Sequence, residues 1–112
     1  GEKLQIAHDD IQEIKARFKN ARVMDTSKRF NTDVLNAIET ENLLAFSELV
    51  VIGAQARTES RGAHSRTDYP KRDDEQWMQH TVATKNEDGQ PELTYKPVTI
   101  FWDRFPPQER KY

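Results

Sequence analysis

The sequence contains no cysteine, which excludes disulfides, thiolate zinc sites and cysteine nucleophiles and suits a reducing compartment. Its four glycines (Gly1, Gly53, Gly62 and Gly89) are isolated, so there is no G-x-G-x-x-G loop to cradle a pyrophosphate. Charge of one sign is also lacking: 17 Lys+Arg stand against 19 Asp+Glu, a formal net charge of -2. No global field therefore draws the chain to nucleic acid or an anionic bilayer. No apolar run approaches the roughly 20 residues of a membrane span, and no basic stretch leads into an apolar one as in a signal peptide. Position 1 is not Met and a helical pattern starts at once; the expectation is a trimmed piece of a longer chain without membrane insertion.

With 112 residues, 35% of them hydrophobic, the chain suffices for one modest domain. Leu4, Ala7, Ile11, Ile14 and Phe18 recur at spacings of three and four. They predict a helix over about 3–20, with Lys15, Arg17 and Lys19 where cations favour a helix C-terminus. Residues 21–30 read as a connection. Asn31 or Thr32 is suited to cap a second helix over about 32–58, with Asp33 in its first turn, and the polar Thr40, Glu41 and Asn42 predict a bend or break within it. The run LLAFSELVVIGAQA carries one charge, Glu48, and predicts a helix surrounded by protein.

Beyond Arg57 the pattern changes. Gly62 and Pro70 interrupt any helix, residues 73–80 suit a short one, and TVATKNEDGQPELTYKPV predicts a hairpin turning at Asp88 and Gly89. Pro97, Pro106 and Pro107 among Phe101, Trp102, Phe105 and Tyr112 predict an extended tail. The expected organisation is a helical portion over 1–60, then a charged loop, short helix, hairpin and tail over 61–112 of the same domain. There is no internal repeat.

The chemistry-bearing residues concentrate in TESRGAHSRTDYPKRDD, from Thr58 to Asp74. Ser60, His64 and Asp68 are the residue types of a hydrolytic triad, yet no G-x-S-x-G elbow presents a serine. His8, His64 and His80 lack the i, i+4 pairing and the spacings of zinc ligands, and His64 is expected to bond a backbone carbonyl or a carboxylate. Arg57, Arg61, Arg66, Lys71 and Arg72 alternate with Glu59, Asp68, Asp73, Asp74 and Glu75, a balance unlike the basic excess of a nucleic-acid groove. Gly62, Ala63, Tyr69 and Trp77 lie between them and suggest partial burial. Arginine forks facing carboxylates in a desolvated seam fit this pattern, with Glu59 and Asp68 the leading partners of Arg61 and Arg66. A helical adaptor binding through the face of Leu4 to Phe18, and a cofactor-free enzyme using His64 or His80, are two further readings.

ARTESRGAHSRTDYPKRDDEQWMQHT, from Ala56 to Thr81, resembles the signature near the C-terminus of succinate dehydrogenase flavoprotein subunits. RFNTDVLNAIETENLLAFSELVVIGAQAR before it is similar to that family's central C-terminal helices, and YKPV (Tyr95–Val98) and PPQERKY (Pro106–Tyr112) to its closing segment. Fumarate reductases and L-aspartate oxidases share the E-S-R-G-A-H core; W-M-Q-H-T and the R-K-Y ending favour succinate dehydrogenase. The resemblance implies a mainly α fold, a C-terminal bundle of antiparallel, spectrin-like helices with a small hairpin and an extended tail. It implies a scaffold and docking role in an enzyme that oxidises succinate to fumarate at FAD and passes electrons through an iron–sulfur subunit to quinone. The flavin fingerprint, the flavin-bonding histidine and the dicarboxylate-binding residues lie upstream in that family, so no catalytic, cofactor-binding or metal residue is assigned here. Arg57, Glu59, Ser60, Arg61, Gly62, His64, Arg66, Asp68, Pro70, Trp77 and His80 are expected to be structural or interface residues. The implied partners are the flavin-binding domain of the same subunit and the iron–sulfur subunit, with no nucleic acid. The implied location is peripheral, on the cytoplasmic face of a bacterial inner membrane or the mitochondrial matrix face. The family's bundle has another helix upstream of Gly1, so an open apolar face and a homodimer of the isolated chain are expected.

Overall fold

A computed structural model describes residues 1–101 and 106–108. Among them are three helices, α1 (Glu2–Phe18), α2 (Thr32–Ala56) and α3 (Asp74–Trp77), and two strands, β1 (Gln79–Lys85) and β2 (Pro91–Pro97). Residues 2–52 form one compact unit; residues 53–112 together with Gly1 form another.

In the first unit, α1 carries Glu2 in its first turn and Lys15 and Arg17 in its last, complementing the helix dipole. It ends at Phe18, two residues before the predicted limit, because three-residue bonds take over: the N–H of Asn20 donates to the Arg17 carbonyl and that of Ala21 to Phe18, at 3.0 and 2.9 Å. Asn31 caps α2, its Oδ1 accepting the Val34 N–H at 3.0 Å. The predicted break at Thr40 to Asn42 does not occur. The Thr40 hydroxyl donates to the Asn36 carbonyl at 2.7 Å, so its polar group is satisfied along the helix itself. Gln12 and Lys15 of α1 reach Glu48 of α2, while Phe18 shares a hollow of about 380 Å³ with Asn36, Ala37 and Thr40 early in α2. The two helices therefore run antiparallel.

The expectation that the apolar run of α2 is surrounded by protein is overturned for this chain. Leu43, Phe46 and Val50 are 63%, 66% and 53% exposed, and the one buried residue of α2 is the charged Glu48. One neighbouring helix covers one side of a cylinder, and here it covers the side that carries the carboxylate.

In the second unit, α3 is one turn long rather than spanning 73–80. Asp73 caps it, accepting the N–H groups of Glu75 and Gln76 at 3.0 Å each, and β1 takes over at Gln79. β1 and β2 pair antiparallel with His80 opposite Lys96 and Val82 opposite Thr94. The hairpin turns over Asn86–Gln90 as the D-G dipeptide predicts. Gly89 sits at φ +75°, where a side chain would be strained, and Asn86 Oδ1 accepts the N–H groups of Asp88 and Gln90. Trp77 is the buried apolar centre: its indole N–H donates to Thr58 Oγ1 at 3.0 Å and its ring meets Tyr95 edge-on, centroids 5.6 Å apart. Of the predicted aromatic tail, Phe101 is exposed, and Trp102, Phe105 and Tyr112 lie outside the described residues.

Candidate functional site

The chemistry-bearing stretch follows α2 directly and is folded back on itself. Arg61 and His64 exchange backbone hydrogen bonds at 2.8 and 3.0 Å across Gly62, whose φ of +59° is strained for any residue with a Cβ. This reversal places Glu59, with no exposed surface, at the centre of a ring of donors. Its Oε1 accepts from Arg57 and from Arg61 Nε at 2.7 Å; its Oε2 accepts from Arg61 and from the Asp73 backbone N–H at 3.0 and 2.8 Å. Burial pushes the Glu59 carboxyl up, but the hydrogen bonds from Arg61, Asp73 and Arg57 outweigh it, so the group titrates below the usual carboxylate range.

The arginines extend this node outward. Arg57 donates to the Trp77 and Gln79 carbonyls at 3.2 and 2.6 Å and lies over the Trp77 ring, 4.9 Å from its centroid. It thus binds the end of α2 to the start of β1. Arg61 also reaches Asp74 at 2.6 Å, and Arg72 holds the same Asp74 carboxylate through two bonds of 2.7 and 2.9 Å. Those arginine contacts hold Asp74 low. Arg66, 7% exposed, donates to the carbonyls of Ala54, Gln55 and Arg57 at 2.9, 3.0 and 3.3 Å. The last turn of α2 has no basic residue of its own, so Arg66 supplies the cation and donors that the orphan carbonyls require. Its other edge forms a two-bond fork with Asp68, 2.8 and 2.6 Å, which holds that carboxyl far below its ordinary value.

The expected pairs Arg61–Glu59 and Arg66–Asp68 are both present, and His64 Nε2 lies 3.3 Å from the Arg57 carbonyl, the backbone partner expected of it. The Ser60 hydroxyl donates to the Tyr69 carbonyl at 2.7 Å and accepts the Arg66 N–H at 2.8 Å, so it braces the turn instead of presenting a nucleophile. Pro70 lines an open hollow of about 440 Å³ with Thr58, Tyr69 and Lys71, whereas His80 is exposed on β1 and stands apart from the cluster. Asp74 stood among the alternating charges without a partner assigned to it, and the Thr58–Trp77–Tyr95 contact had no local signal. The R-x-D spacing of Arg72 and Asp74 is the one local signal that marks the former.

Among the described residues every buried side-chain polar atom has a hydrogen-bond partner, and no group of three or more His, Asp or Glu is placed to hold a metal. The two glycines with positive φ, Gly62 and Gly89, lie in the turns of the reversed loop and of the hairpin, and neither opens a helix. What the arrangement can do chemically is fasten: it fixes the end of α2, a reversed loop, α3 and the hairpin through paired charges and buried carbonyls.

Comparison with known proteins places this geometry. All 112 residues match the family described as the C-terminal part of the fumarate reductase flavoprotein. The succinate dehydrogenase flavoprotein subunit of Rickettsia bellii is 48% identical over 90 residues, 80% of this chain and 15% of that protein. The fumarate reductase flavoprotein subunit of Haemophilus influenzae is 46% identical over 97 residues, 87% of this chain and 16% of that protein. A solved structure of a mutant E. coli quinol fumarate reductase superposes with a TM-score of 0.87 at 39% identity, covering 96% of this chain and 18% of that one. The chain thus spans less than one fifth of the relatives it matches, and it belongs to the C-terminal family of succinate dehydrogenase and fumarate reductase flavoprotein subunits.

Proposed function

We propose that this chain is the C-terminal scaffold and docking domain of a succinate dehydrogenase flavoprotein subunit, with its helical-bundle portion in residues 1–60 and its charged loop, short helix, hairpin and tail in residues 61–112. In the full-length subunit, upstream domains bind FAD and oxidise succinate to fumarate. Electrons then pass through an iron–sulfur subunit to quinone. The chain itself performs no chemistry. Its partners are the flavin-binding domain of the same subunit and the iron–sulfur subunit, and it works as part of a peripheral subunit on the cytoplasmic face of a bacterial inner membrane. Isolated, it pairs with a second copy through the exposed face of α2.

The observation that carries this reading is the internal pairing of the Glu59 and Arg66 clusters. Arg57, Arg61, Arg66 and Ser60 are occupied by groups of the same unit, which leaves them braced rather than free to bind substrate. A fumarate reductase subunit is the second reading, favoured by the superposition on a quinol fumarate reductase; it uses the same two dicarboxylates in the opposite direction. Purification of the chain alone and of the full-length subunit tests the proposal. The full-length protein carries flavin and reduces dye with succinate, while the isolated chain is colourless and inert. Flavin absorbance or succinate-dependent dye reduction by the isolated chain overturns the scaffold role.

A further inference from the structure

The connection between α1 and α2 holds a residue that a free-standing chain has no reason to present. Phe30 is 99% exposed and its backbone lies at φ +53°, a left-handed conformation unfavourable for a bulky residue. Met24, 84% exposed, stands at the other end of the same loop. The loop between them is tied. Asn31 Nδ2 donates to the carbonyls of Asp25 and Ser27 at 2.7 and 3.0 Å, and the Asp25 carboxylate accepts the Ser27 N–H and hydroxyl at 2.8 and 2.9 Å. An unfavourable backbone held by four local bonds, with an aromatic ring directed into solvent, is a fixed presentation of that ring.

The charges beside it indicate what it meets. Arg22, Lys28 and Arg29 are exposed and form no ion pair among the described residues, while the acidic residue of the loop, Asp25, is engaged by Ser27. We propose that Phe30 is a docking knob that, with Met24, enters an apolar socket edged by carboxylates on the flavin-binding part of the same subunit, an inference that rests on the function proposed above. The chain spans only 15 to 19% of its relatives, so on the function proposed above the largest permanent neighbour on offer is the rest of its own polypeptide. A permanent neighbour also suits a pre-set geometry. An anionic bilayer would attract the same three cations, but one phenyl ring and one thioether are little apolar area for membrane anchoring, and a bilayer has no use for a fixed backbone.

Trypsin tests this directly, because Lys28 and Arg29 are cleavage sites immediately before the knob. In the isolated chain the loop is cut rapidly. In the flavin-loaded full-length subunit it is protected, and Phe30→Ala or Arg22→Glu restores cleavage there and lowers the melting temperature by several degrees, while Phe30→Ala leaves the isolated chain's melting temperature unchanged. Equal cleavage of the loop in the two wild-type proteins overturns the proposal. So does Phe30-dependent sedimentation of the isolated chain with vesicles of phosphatidylserine and phosphatidylcholine, which assigns the knob to a membrane. A wild-type full-length protein that carries no flavin refutes the function instead, and the cleavage comparison still reports on the knob. Arg22→Glu, which keeps both cleavage sites, decides the matter where Phe30→Ala fails to accumulate.

Discussion

Glu59 concentrates more of this fold than any other single residue. It has no exposed surface, and four donors from Arg57, Arg61 and the Asp73 backbone converge on its two oxygens. Removing one partner of a buried pair leaves the others desolvated and unpaired, so Glu59→Ala should cost about 3–5 kcal/mol. Arg61→Ala should cost less, because Arg61 is 26% exposed and Glu59 would keep Arg57 and the Asp73 N–H. Urea unfolding of the two variants measures both, and equal midpoints would dissolve the ranking. The same carboxyl sets a pH dependence. Its folded-state value lies below its ordinary 4.5, so the stability it adds is complete above about pH 4.5 and is lost as pH falls through the depressed folded value. Unfolding followed by circular dichroism between pH 6 and pH 2 should therefore show a steep loss in the wild type below about pH 4.5 and a shallower one in Glu59→Gln. The pairs Arg61–Glu59 and Arg66–Asp68 were legible because each spans two residues in sequence. The bond from Arg61 to Asp74, 13 residues on, and those from Gln12 and Lys15 to Glu48 were not, since they depend on folding that no local pattern encodes.

The elements were legible where their ends are chemically marked. Asn31 starts α2 and Asp88 and Gly89 turn the hairpin, each through a side chain or a positive φ that the residue type supplies. The break expected at Thr40 failed for a definite reason: a threonine within a helix can return its hydroxyl to the carbonyl four residues back, as it does here. The seam after α2 was expected to pair Arg61 and Arg66 with Glu59 and Asp68, and both pairs form within its own unit. Asn31 does more than cap, since its amide also closes the preceding loop onto Asp25 and Ser27. Asn31→Ala should therefore cost about 1–2 kcal/mol, at or above the upper part of the range for a lost cap. Thermal unfolding of the isolated chain checks this, and Asn31→Asp, which keeps the cap oxygen and loses the amide donor, should fall between the variant and the wild type. A melting temperature of Asn31→Ala equal to wild type would mean that α2 starts without its cap.

At the scale of the whole chain, the feature that sequence could not resolve is what covers α2. The run from Leu43 to Ala56 is apolar enough to imply burial, but composition does not say whether the covering surface belongs to the same chain. On a helical projection of 100° per residue, Leu35, Ile38, Leu43, Phe46 and Val50 fall on one broad face, and all five are more than half exposed. Patches of several hundred Å² are uncommon on monomers, and at about 25 cal/mol per Å² the burial of one would stabilise an association by several kcal/mol. Two copies that bring this face together about a two-fold axis bury the same residues on each side, which makes the pairing self-complementary. Sedimentation at micromolar concentration should show the isolated chain moving from monomer to dimer as concentration rises. Phe46→Glu should hold it monomeric without unfolding it, because Phe46 is 66% exposed and contributes little to the fold of a single copy. A folded monomer at every concentration would show that α2 tolerates water along its apolar face, and the argument from buried area would then fail for this helix.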